Sequence, residues 1–405
     1  MLFFFSSIEC SVHLHRGAAD NTIERFPISE GLARCSIPHI PYISPISFIS
    51  STSLHMFHSR RSSRNLYPCP KKLQSNQMTN QHQSPSPPKR IWASLITNMS
   101  YLPGLLTLHH SLNHPSPDQS SQPPADQGTK YPFIAFYTST FPAEGLKILQ
   151  SRNIPSQWVP SVTPASTRSY TKDPRFLETW NKLVVFSLEQ YERVVLLDGD
   201  ILVRRNMDSL MELPLDEPEA NGSRVFAAAH ACACNPMKKS HYPANWVPSN
   251  CAYTTQHSTP DEAQSVAPPP DSGVGMLNSG VLVVRPSARV YGEITAALQE
   301  TERIARYVFP DQDLLSDVFA GRWAALPYVY NGLKTLRIGG VHDCIWRDSE
   351  VRAVHYIFAT KPWHEEVEDG DLSGLDETGV WWWRANWERM RLEREVGVLD
   401  KFSGS

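Results

Sequence analysis

The sequence has almost no net charge and no long apolar run. Its 405 residues include 38 lysines and arginines against 41 aspartates and glutamates, a formal net charge of -3. So close a balance offers no bulk attraction to nucleic acid, and we expect no nucleic-acid partner. No window approaches the roughly twenty apolar residues of a membrane span, so we expect none. The start, MLFFFSS, has no basic segment before its short apolar run. We therefore expect no signal peptide and a cytoplasmic protein.

Paired cysteine spacings are missing as well. The seven cysteines are an odd number and are scattered along the chain, which does not indicate a disulfide framework. Cys232 and Cys234 form a C-x-C, and Cys251 follows at a distance. A metal site is one interpretation of these three residues, but they lack the paired spacing of a reliable zinc site. Cysteines that pack a loop are the simpler interpretation.

The first 88 residues show no lasting helical or strand period. They are rich in serine, proline, histidine and asparagine, so burial there cannot offset the entropy of ordering the chain. We predict a disordered Ser/Pro-rich extension over 1–88, a single folded domain over 89–398 and a disordered tail over 399–405.

Strand-like and helix-like segments alternate from residue 89 onward, interrupted by a long irregular excursion over 230–272. Such alternation predicts an α/β fold with a mostly parallel central sheet flanked by helices. The predicted strands are 91–96, 133–137, 157–159, 194–197, 225–229, 277–284, 323–330 and 353–357. The predicted helices are 101–112, 143–151, 174–190, 288–306, 312–319 and 380–395.

The segment around Asp198-Gly199-Asp200 is the most informative in the chain. The apolar run 194–197 is typical of a strand buried on both faces, and a second run, 201–203, follows the acidic pair. Ligands of open α/β sheets bind at the carboxyl ends of the strands, where two carboxylates suit a divalent cation that holds a diphosphate. Asp-Gly between apolar runs also predicts a tight hairpin. These residues alone leave both interpretations open.

Three further polar clusters lie beside predicted strands or helices. Asn278-Ser279-Gly280 enters a strand, and Asp311-Gln312 opens a helix. A turn and an ordinary helix cap are the simpler interpretations of these two clusters. His355 and Lys361 follow a third apolar strand. A neutral imidazole beside two carboxylates makes a mixed N/O site that suits Mn²⁺, and a lysine nearby can neutralise a diphosphate leaving group.

Four motifs follow one another along the chain: D-x-D after a buried strand, NSG, DQ and H-x5-KPW. Together and in this order they resemble the retaining glycosyltransferases of family 8, which include glycogenins and galactinol synthases. The resemblance covers about Ile91 to Trp363, and the cysteine-bearing excursion is more like galactinol synthases and fungal relatives. It implies a GT-A-like (Rossmann-like) domain that uses a UDP-sugar.

The resemblance also implies roles for particular residues. Asp198, Asp200 and His355 match the metal ligands, with Mn²⁺ the usual ion and Mg²⁺ the alternative. The segment LITNMSYLPG implies that Leu95, Thr97, Asn98 and Tyr101 lie near the uracil and ribose. Lys182 and Lys361 match diphosphate contacts, whereas Asn278, Ser279, Asp311 and Gln312 match the sugar pocket.

Two departures from the family's pattern bear on activity. Phe358 stands three residues after the metal histidine, where family members often carry glycine. No tyrosine follows shortly after the LPYVYN segment, the place where self-glucosylating glycogenins carry their acceptor. The second departure argues against self-glucosylation.

The expected activity is metal-dependent, retaining transfer of glucose or galactose from a UDP-sugar to a polyol or glycan acceptor, with Asp311, Gln312 and Lys361 as the catalytic candidates. The alternatives are a catalytically inactive nucleotide-sugar-binding protein, a self-glucosylating glycogenin and a glycoside hydrolase. A homodimer is also left open.

Overall fold

A computed structural model describes residues 89–115, 128–166, 170 and 174–404. The predicted extension over 1–88 lies outside these residues. The strands are β1 (Arg90–Ile96), β2 (Phe133–Tyr137), β3 (Ser156–Trp158), β4 (Arg193–Leu197), β5 (Ile201–Val203), β6 (Phe226–His230), β7 (Leu277–Val284), β8 (Ala324–Leu326), β9 (Gly332–Leu333) and β10 (Ala353–His355). The α-helices are α1 (Leu102–Asn113), α2 (Ala143–Ser151), α3 (Ala288–Ala297), α4 (Thr301–Ile304), α5 (Pro310–Val318) and α6 (Glu377–Glu395). Short 3-10 helices cover Met99–Tyr101, Pro174–Leu177, Thr179–Ser187, Asp208–Glu212, Pro248–Asn250, Ala252–Ser258, Tyr328–Tyr330, Lys334–Arg337 and Pro362–His364.

The main sheet has seven strands in the order β3-β2-β1-β4-β7-β6-β8. Only β7 runs antiparallel to its neighbours, so this sheet is mostly parallel, as the alternation of segments predicts. Because β7 is reversed, its first residues lie beside the carboxyl ends of β4 and β6. Polar residues that enter β7 therefore meet those that leave β4.

A second, three-stranded sheet has the order β5-β10-β9. Strand β10 pairs antiparallel with β5, which places His355 opposite Ile201, and parallel with β9. The small sheet thus starts directly after the acidic pair that ends β4.

Apolar side chains cover both faces of the main sheet. On one face, Trp180 and Phe186 of the 3-10 helix Thr179–Ser187 pack with Ile294 of α3 and Leu314 of α5. On the other face, leucines of α1 and α2 pack against Trp92 and Val195. All of these side chains are buried. Helix α6 covers the outside of α1, where Thr107 donates a hydrogen bond to Asn386 at 3.0 Å.

Two of the predicted helices differ from their predicted form. The region 174–190 is not one α-helix but two 3-10 helices. The run Leu183 to Phe186 within it is fully buried and contains two β-branched valines, which have a lower α-helix propensity than unbranched residues. The predicted helix 288–306 breaks into α3 and α4. Residues 401–404 form a turn, Asp400 pairs with Arg152 at 2.9 Å, and Ser403 is fully buried.

Among the described residues, no helix has the combination of length and apolar character that crossing a membrane requires.

Candidate functional site

The Asp198-Gly199-Asp200 segment is the connection between the two sheets. The amide of Ile201 donates to the carbonyl of Asp198 at 3.1 Å, which makes a tight turn. Strands β4 and β5 do not pair with each other, since β4 lies between β1 and β7 and β5 pairs with β10. The hairpin interpretation is therefore wrong, although the turn it requires is present.

Three potential metal ligands meet at this turn. Nε2 of His355 lies 3.3 Å from Oδ1 of Asp200 and 3.8 Å from Oδ2 of Asp198. The three ligand atoms all lie within 4.8 Å of one another. Two carboxylate oxygens and an imidazole nitrogen at this spacing fit a small divalent cation such as Mn²⁺.

The orientation of His355 is fixed by a residue that the sequence analysis missed. Nδ1 of His355 lies 2.9 Å from Oδ1 of the fully buried Asn331, whose own Nδ2 donates to Asn278 at 2.8 Å. An amide oxygen can only accept, so Nδ1 carries the proton and Nε2 keeps its lone pair for a metal. Gly280 makes room for the ring, since a Cβ there would lie 2.3 Å from Cε1 of His355.

Two lysines neutralise the carboxylates. Nζ of Lys182 lies 2.8 Å from Asp198 and 3.6 Å from Asp311. Nζ of Lys361 is paired with Asp200 and also donates to the carbonyl of Tyr356 at 2.8 Å. Both ammonium groups are thus held within reach of anything that binds at the two aspartates.

The two carboxylates differ in acidity. Burial raises the pKa of Asp198, and the adjacent Asp200 carboxylate adds to this against the opposing charge of Lys182. Burial also acts to raise the pKa of Asp200, but the ion pair with Lys361 outweighs it and holds that pKa well below its usual range. Asp200 therefore stays ionised, and Asp198 is the carboxylate that takes up a proton first as the pH falls.

The predicted sugar-pocket residues also lie together. Oε1 of Gln312 accepts from Nδ2 of Asn278 at 2.8 Å and from the amide of Ser279 at 3.2 Å. With its oxygen engaged in this way, Gln312 presents its NH₂ group, a donor. Oδ2 of the buried Asp311 lies 3.6 Å from Nζ of Lys182 but has no hydrogen-bond partner within the described part of the chain, so it can still accept a hydrogen bond from a ligand.

The end of β1 forms another wall of the site. The hydroxyl of Tyr101 accepts from Nη1 of Arg175 at 2.9 Å, and the same nitrogen donates to the carbonyl of Phe358 at 3.0 Å. Arg175 is a second residue that the sequence analysis missed, and no motif marks it. Burial, followed by the charge of Asp200, raises the pKa of Tyr101 to about 12, so its hydroxyl stays protonated.

Phe358 occupies a backbone conformation that favours glycine. Its φ is 78°, in the left-handed region. Glycine adopts such a conformation without strain, and here the chain forms the same kind of turn with a larger side chain. Nζ of Lys239 lies 5.5 Å from the centre of the Phe358 ring, and both side chains line the same cavity.

One cavity of about 370 Å³ joins all of these groups. This volume is within the usual range for small-molecule sites, roughly 300–1,000 Å³. Every residue predicted for metal, nucleotide or sugar lines it: Leu95, Thr97, Asn98, Tyr101, Lys182, Asp198, Asp200, Asn278, Ser279, Asp311, Gln312, His355 and Lys361. The structure brings them together, and their individual roles remain predictions.

Residues 93–367 match the model of the family described as "Glycosyl transferase family 8". The chain belongs to glycosyl transferase family 8. The mostly parallel sheet with helices on both faces is the GT-A-like fold that the resemblance predicts.

Several characterised relatives of this family 8 chain are galactinol synthases. Galactinol synthase 4 of Arabidopsis thaliana is 24% identical over 312 residues, which cover 74% of this chain and 82% of the relative. Galactinol synthase 2 of the same plant is 26% identical over 264 residues, 63% of this chain and 71% of the relative.

Solved glycosyltransferases show weaker similarity. The galactosyltransferase LgtC, in complex with donor and acceptor sugar analogs, is 15% identical with a TM-score of 0.42 over 73% of this chain and 94% of LgtC. The apo-form glycosyltransferase GlyE of Streptococcus pneumoniae is 16% identical with a TM-score of 0.44 over 76% of this chain and 64% of GlyE. Similarities this low do not bear on the chemistry of the site.

Proposed function

We propose that this family 8 member transfers a hexose, glucose or galactose, from a UDP-sugar to a polyol or glycan acceptor, with retention of anomeric configuration and with the help of a divalent metal. The observation that carries the proposal is the convergence of Asp198, Asp200 and His355 with two lysines in one cavity. The two carboxylates and the imidazole suit a divalent cation, and the two lysines suit the negative charge of a nucleoside diphosphate.

The donor set fits Mn²⁺, with Mg²⁺ as the alternative. The ligand atoms would be one carboxylate oxygen each from Asp198 and Asp200 and Nε2 of His355, whose other nitrogen is held by Asn331. A bound divalent cation supplies positive charge to both phosphates of the donor as the sugar–phosphate bond breaks. The imidazole favours Mn²⁺ over Mg²⁺, which prefers an all-oxygen shell.

The two lysines add fixed charge where the leaving group forms. Lys361 is buried, and this burial lowers its pKa. Its ion pair with Asp200 acts on the pKa in the opposite direction and holds the ammonium group close to the turn on which the diphosphate would lie. Lys182 is held between Asp198 and Asp311, which outweigh its burial and raise its pKa, so it is always charged. Positive groups fixed in advance stabilise a developing anion without reorganisation.

The nucleotide and the sugar would lie on opposite sides of the acidic turn. Leu95, Thr97, Asn98 and Tyr101 at the end of β1 form the uridine side. On the sugar side, Gln312 offers NH₂ donors, while Oδ2 of Asp311 accepts from a sugar hydroxyl. The carboxylate of Asp311 would also stabilise the positive charge of an oxocarbenium-like sugar, whereas the NH₂ group of Gln312 would orient the sugar through its hydroxyls.

Retention follows if the acceptor attacks from the face that the diphosphate leaves. The bond from the anomeric carbon to the phosphate oxygen breaks, the acceptor oxygen forms the new bond, and its proton passes to a phosphate oxygen of UDP. In this scheme no side chain acts as a nucleophile. The residues of the chain hold the two substrates and stabilise charge.

A nucleotide-sugar-binding protein without catalysis is the second candidate, and Phe358 favours it. Its side chain lies on the cavity wall at a position where the family often has none. A self-glucosylating glycogenin lacks its acceptor tyrosine here. A glycoside hydrolase needs two carboxyl groups facing each other across a substrate, whereas Asp198 and Asp200 lie on one turn and are both paired with lysines.

The test measures UDP release from UDP-glucose, UDP-galactose and UDP-N-acetylglucosamine, with and without Mn²⁺ and a panel of polyol acceptors. We expect Mn²⁺-dependent release from a hexose donor and loss of at least about 100-fold in Asp200→Asn, because both a ligand and the partner of Lys361 change. Asp369→Asn, an exposed position outside the cavity, is the matched control and should keep wild-type turnover.

Three results would overturn the proposal. Turnover that is unchanged in Asp200→Asn contradicts the metal assignment. UDP binding without turnover of any donor supports the catalytically inactive alternative. Failure to bind UDP at all contradicts the nucleotide assignment.

A further inference from the structure

Three thiols and an imidazole meet in a second cluster, away from the acidic turn. Cys232 and Cys234 follow strand β6, Cys251 precedes the 3-10 helix Ala252–Ser258, and His342 lies in the connection before β10. Their ligand atoms all lie within 4.8 Å of one another. Nε2 of His342 is 3.1 Å from Sγ of Cys234 and 3.3 Å from Sγ of Cys251.

The spacing of the cluster is close to that of a tetrahedral metal site, with the two Sγ–Nε2 distances of 3.1 and 3.3 Å slightly short of it, and the cysteines form no disulfide. With Zn–S bonds of about 2.3 Å and Zn–N bonds of about 2.0–2.1 Å, neighbouring ligands of a tetrahedron lie about 3.5–3.8 Å apart. A disulfide requires sulfurs about 2.05 Å apart, and Cys232, Cys234 and Cys251 are all free thiols. Three sulfurs and one nitrogen also complete the Cys₃His set of structural zinc sites.

The histidine of the cluster is already oriented for a metal. Nδ1 of His342 lies 2.8 Å from Nε2 of His257, and the edge of the Tyr253 ring packs against the same imidazole. A proton on Nδ1 of His342, donated to His257, leaves Nε2 free to bind, and metal-ligating histidines usually have such a partner on the other nitrogen. This is a second observation, independent of the spacing of the thiols, that indicates a ligand.

Burial indicates a closed site. His342 is fully buried, Cys251 and Cys232 are 1% and 8% exposed, and Cys234 is half-buried. With four protein ligands, no coordination position remains for substrate. A soft thiolate set also distinguishes this cluster from the oxygen-rich Asp198 and Asp200, which suit harder cations.

We propose that Cys232, Cys234, Cys251 and His342 bind a structural Zn²⁺ ion that fixes the long excursion after β6 against the rest of the domain. The four ligands join three parts of the chain that are remote in sequence, with Cys251 and His342 separated by 91 positions. Zinc binding deprotonates the thiols and releases their protons to solvent.

The position of the cluster gives the ion a consequence for the cavity. Cys232 itself lines the cavity, and so do Asn235, Lys239, Tyr242 and Trp246 from the same excursion. The zinc ion would therefore hold the wall that faces the acidic turn. Its loss would loosen that wall and lower the stability of the domain, while Asp198, Asp200 and His355 keep their positions on the sheets.

The first experiment measures zinc by mass spectrometry in the full chain, purified without chelators from zinc-supplemented cells. We expect about one zinc ion per chain, as in structural sites. Asp200→Asn should retain this zinc, which separates the cluster from the proposed Mn²⁺ site. Cys234→Ser and His342→Ala should each lose most of it. Cys344→Ser is the matched control, because Cys344 is exposed and its thiol is not one of the four ligands.

The second experiment does not depend on the folding of a variant. Co²⁺ replacing the zinc in the wild-type chain should give the visible bands of a tetrahedral site and thiolate-to-cobalt charge transfer. Three outcomes would overturn the proposal: zinc far below one per chain with no tetrahedral cobalt spectrum, a disulfide between two of the three cysteines in the freshly purified chain, or an equal loss of zinc in Cys344→Ser and Cys234→Ser.

Discussion

Oδ1 of Asn331 lies 2.9 Å from Nδ1 of His355, so a fully buried amide sets which nitrogen of the histidine faces the two aspartates. The same asparagine donates to Asn278 at 2.8 Å. One side chain thus connects the candidate metal ligand to the candidate sugar pocket.

Replacing Asn331 tests this connection. We expect Asn331→Ala to weaken Mn²⁺ binding by about 10- to 100-fold, the usual effect of removing a hydrogen-bond partner from a metal-ligating histidine. Calorimetric titration with Mn²⁺ measures the change. Asn221→Ala, at an exposed position, should leave the affinity unaltered. Wild-type affinity in Asn331→Ala would mean that His355 needs no orienting partner.

Gly280 provides a steric test of the same imidazole. A Cβ at this position would lie 2.3 Å from Cε1 and 2.5 Å from Nδ1 of His355, so Gly280→Ala must displace the ring. We expect at least a tenfold loss of Mn²⁺ affinity with the fold retained by circular dichroism. In Gly292→Ala nothing lies within 4 Å of the added carbon, and this α3 variant should keep its Mn²⁺ affinity. Equal affinities for the two variants would contradict the proposed role of His355.

The left-handed backbone of Phe358 predicts an order of stability. Phe358→Gly and Phe358→Ala both remove the ring, but only glycine relieves a φ of 78°. The glycine variant should therefore be more stable than the alanine variant by about 1 kcal/mol, measured by urea denaturation. The reverse order would show that this turn carries no such strain. Increased UDP-sugar turnover in Phe358→Gly would identify the ring as an obstacle in the cavity.

Asp313 predicts a dependence of stability on pH. Burial raises its pKa to about 6, although the amides of Val308 and Phe309 donate to it and act in the opposite direction. The folded state thus binds a proton that the unfolded state releases, so the contribution of Asp313 to stability is present below its unfolded pKa of about 3.9 and is lost as the pH rises through 6. Asp313→Asn should match wild type near pH 4 and exceed it by about 1–3 kcal/mol at pH 8. Denaturant titrations at the two pH values measure the difference, and a pH-independent difference would contradict the prediction.

The sequence predicts which residues come together better than it predicts the local structure around them. Asp198, Asn278 and His355 each lie at a strand end, and the topology of the sheets brings these ends together, so short motifs far apart in the chain line one cavity. Helical spacing over 174–190 predicted one α-helix, whereas the segment forms two 3-10 helices, whose period of three residues is too close to that of an α-helix to be distinguished by spacing.

Residues that act only through tertiary contacts have no recognisable pattern in the sequence. Asn331 ends the LPYVYN segment, yet only the pairing of β9 with β10 brings it to His355. The three cysteines do not have the paired spacing of a recognisable zinc motif, and their fourth partner, His342, is 91 positions from Cys251. Such a ligand is recognisable only after the chain has folded.

The two aspartates of the acidic turn belong to different sheets. Asp198 follows the last residue of β4 in the main sheet, whereas Asp200 precedes β5 in the small sheet that also contains His355. The distances between these candidate metal ligands therefore depend on how the two sheets meet. A substitution that shifts the small sheet, even one remote from the cavity, will change cation affinity without altering any ligand, and cation binding will in turn resist separation of the sheets.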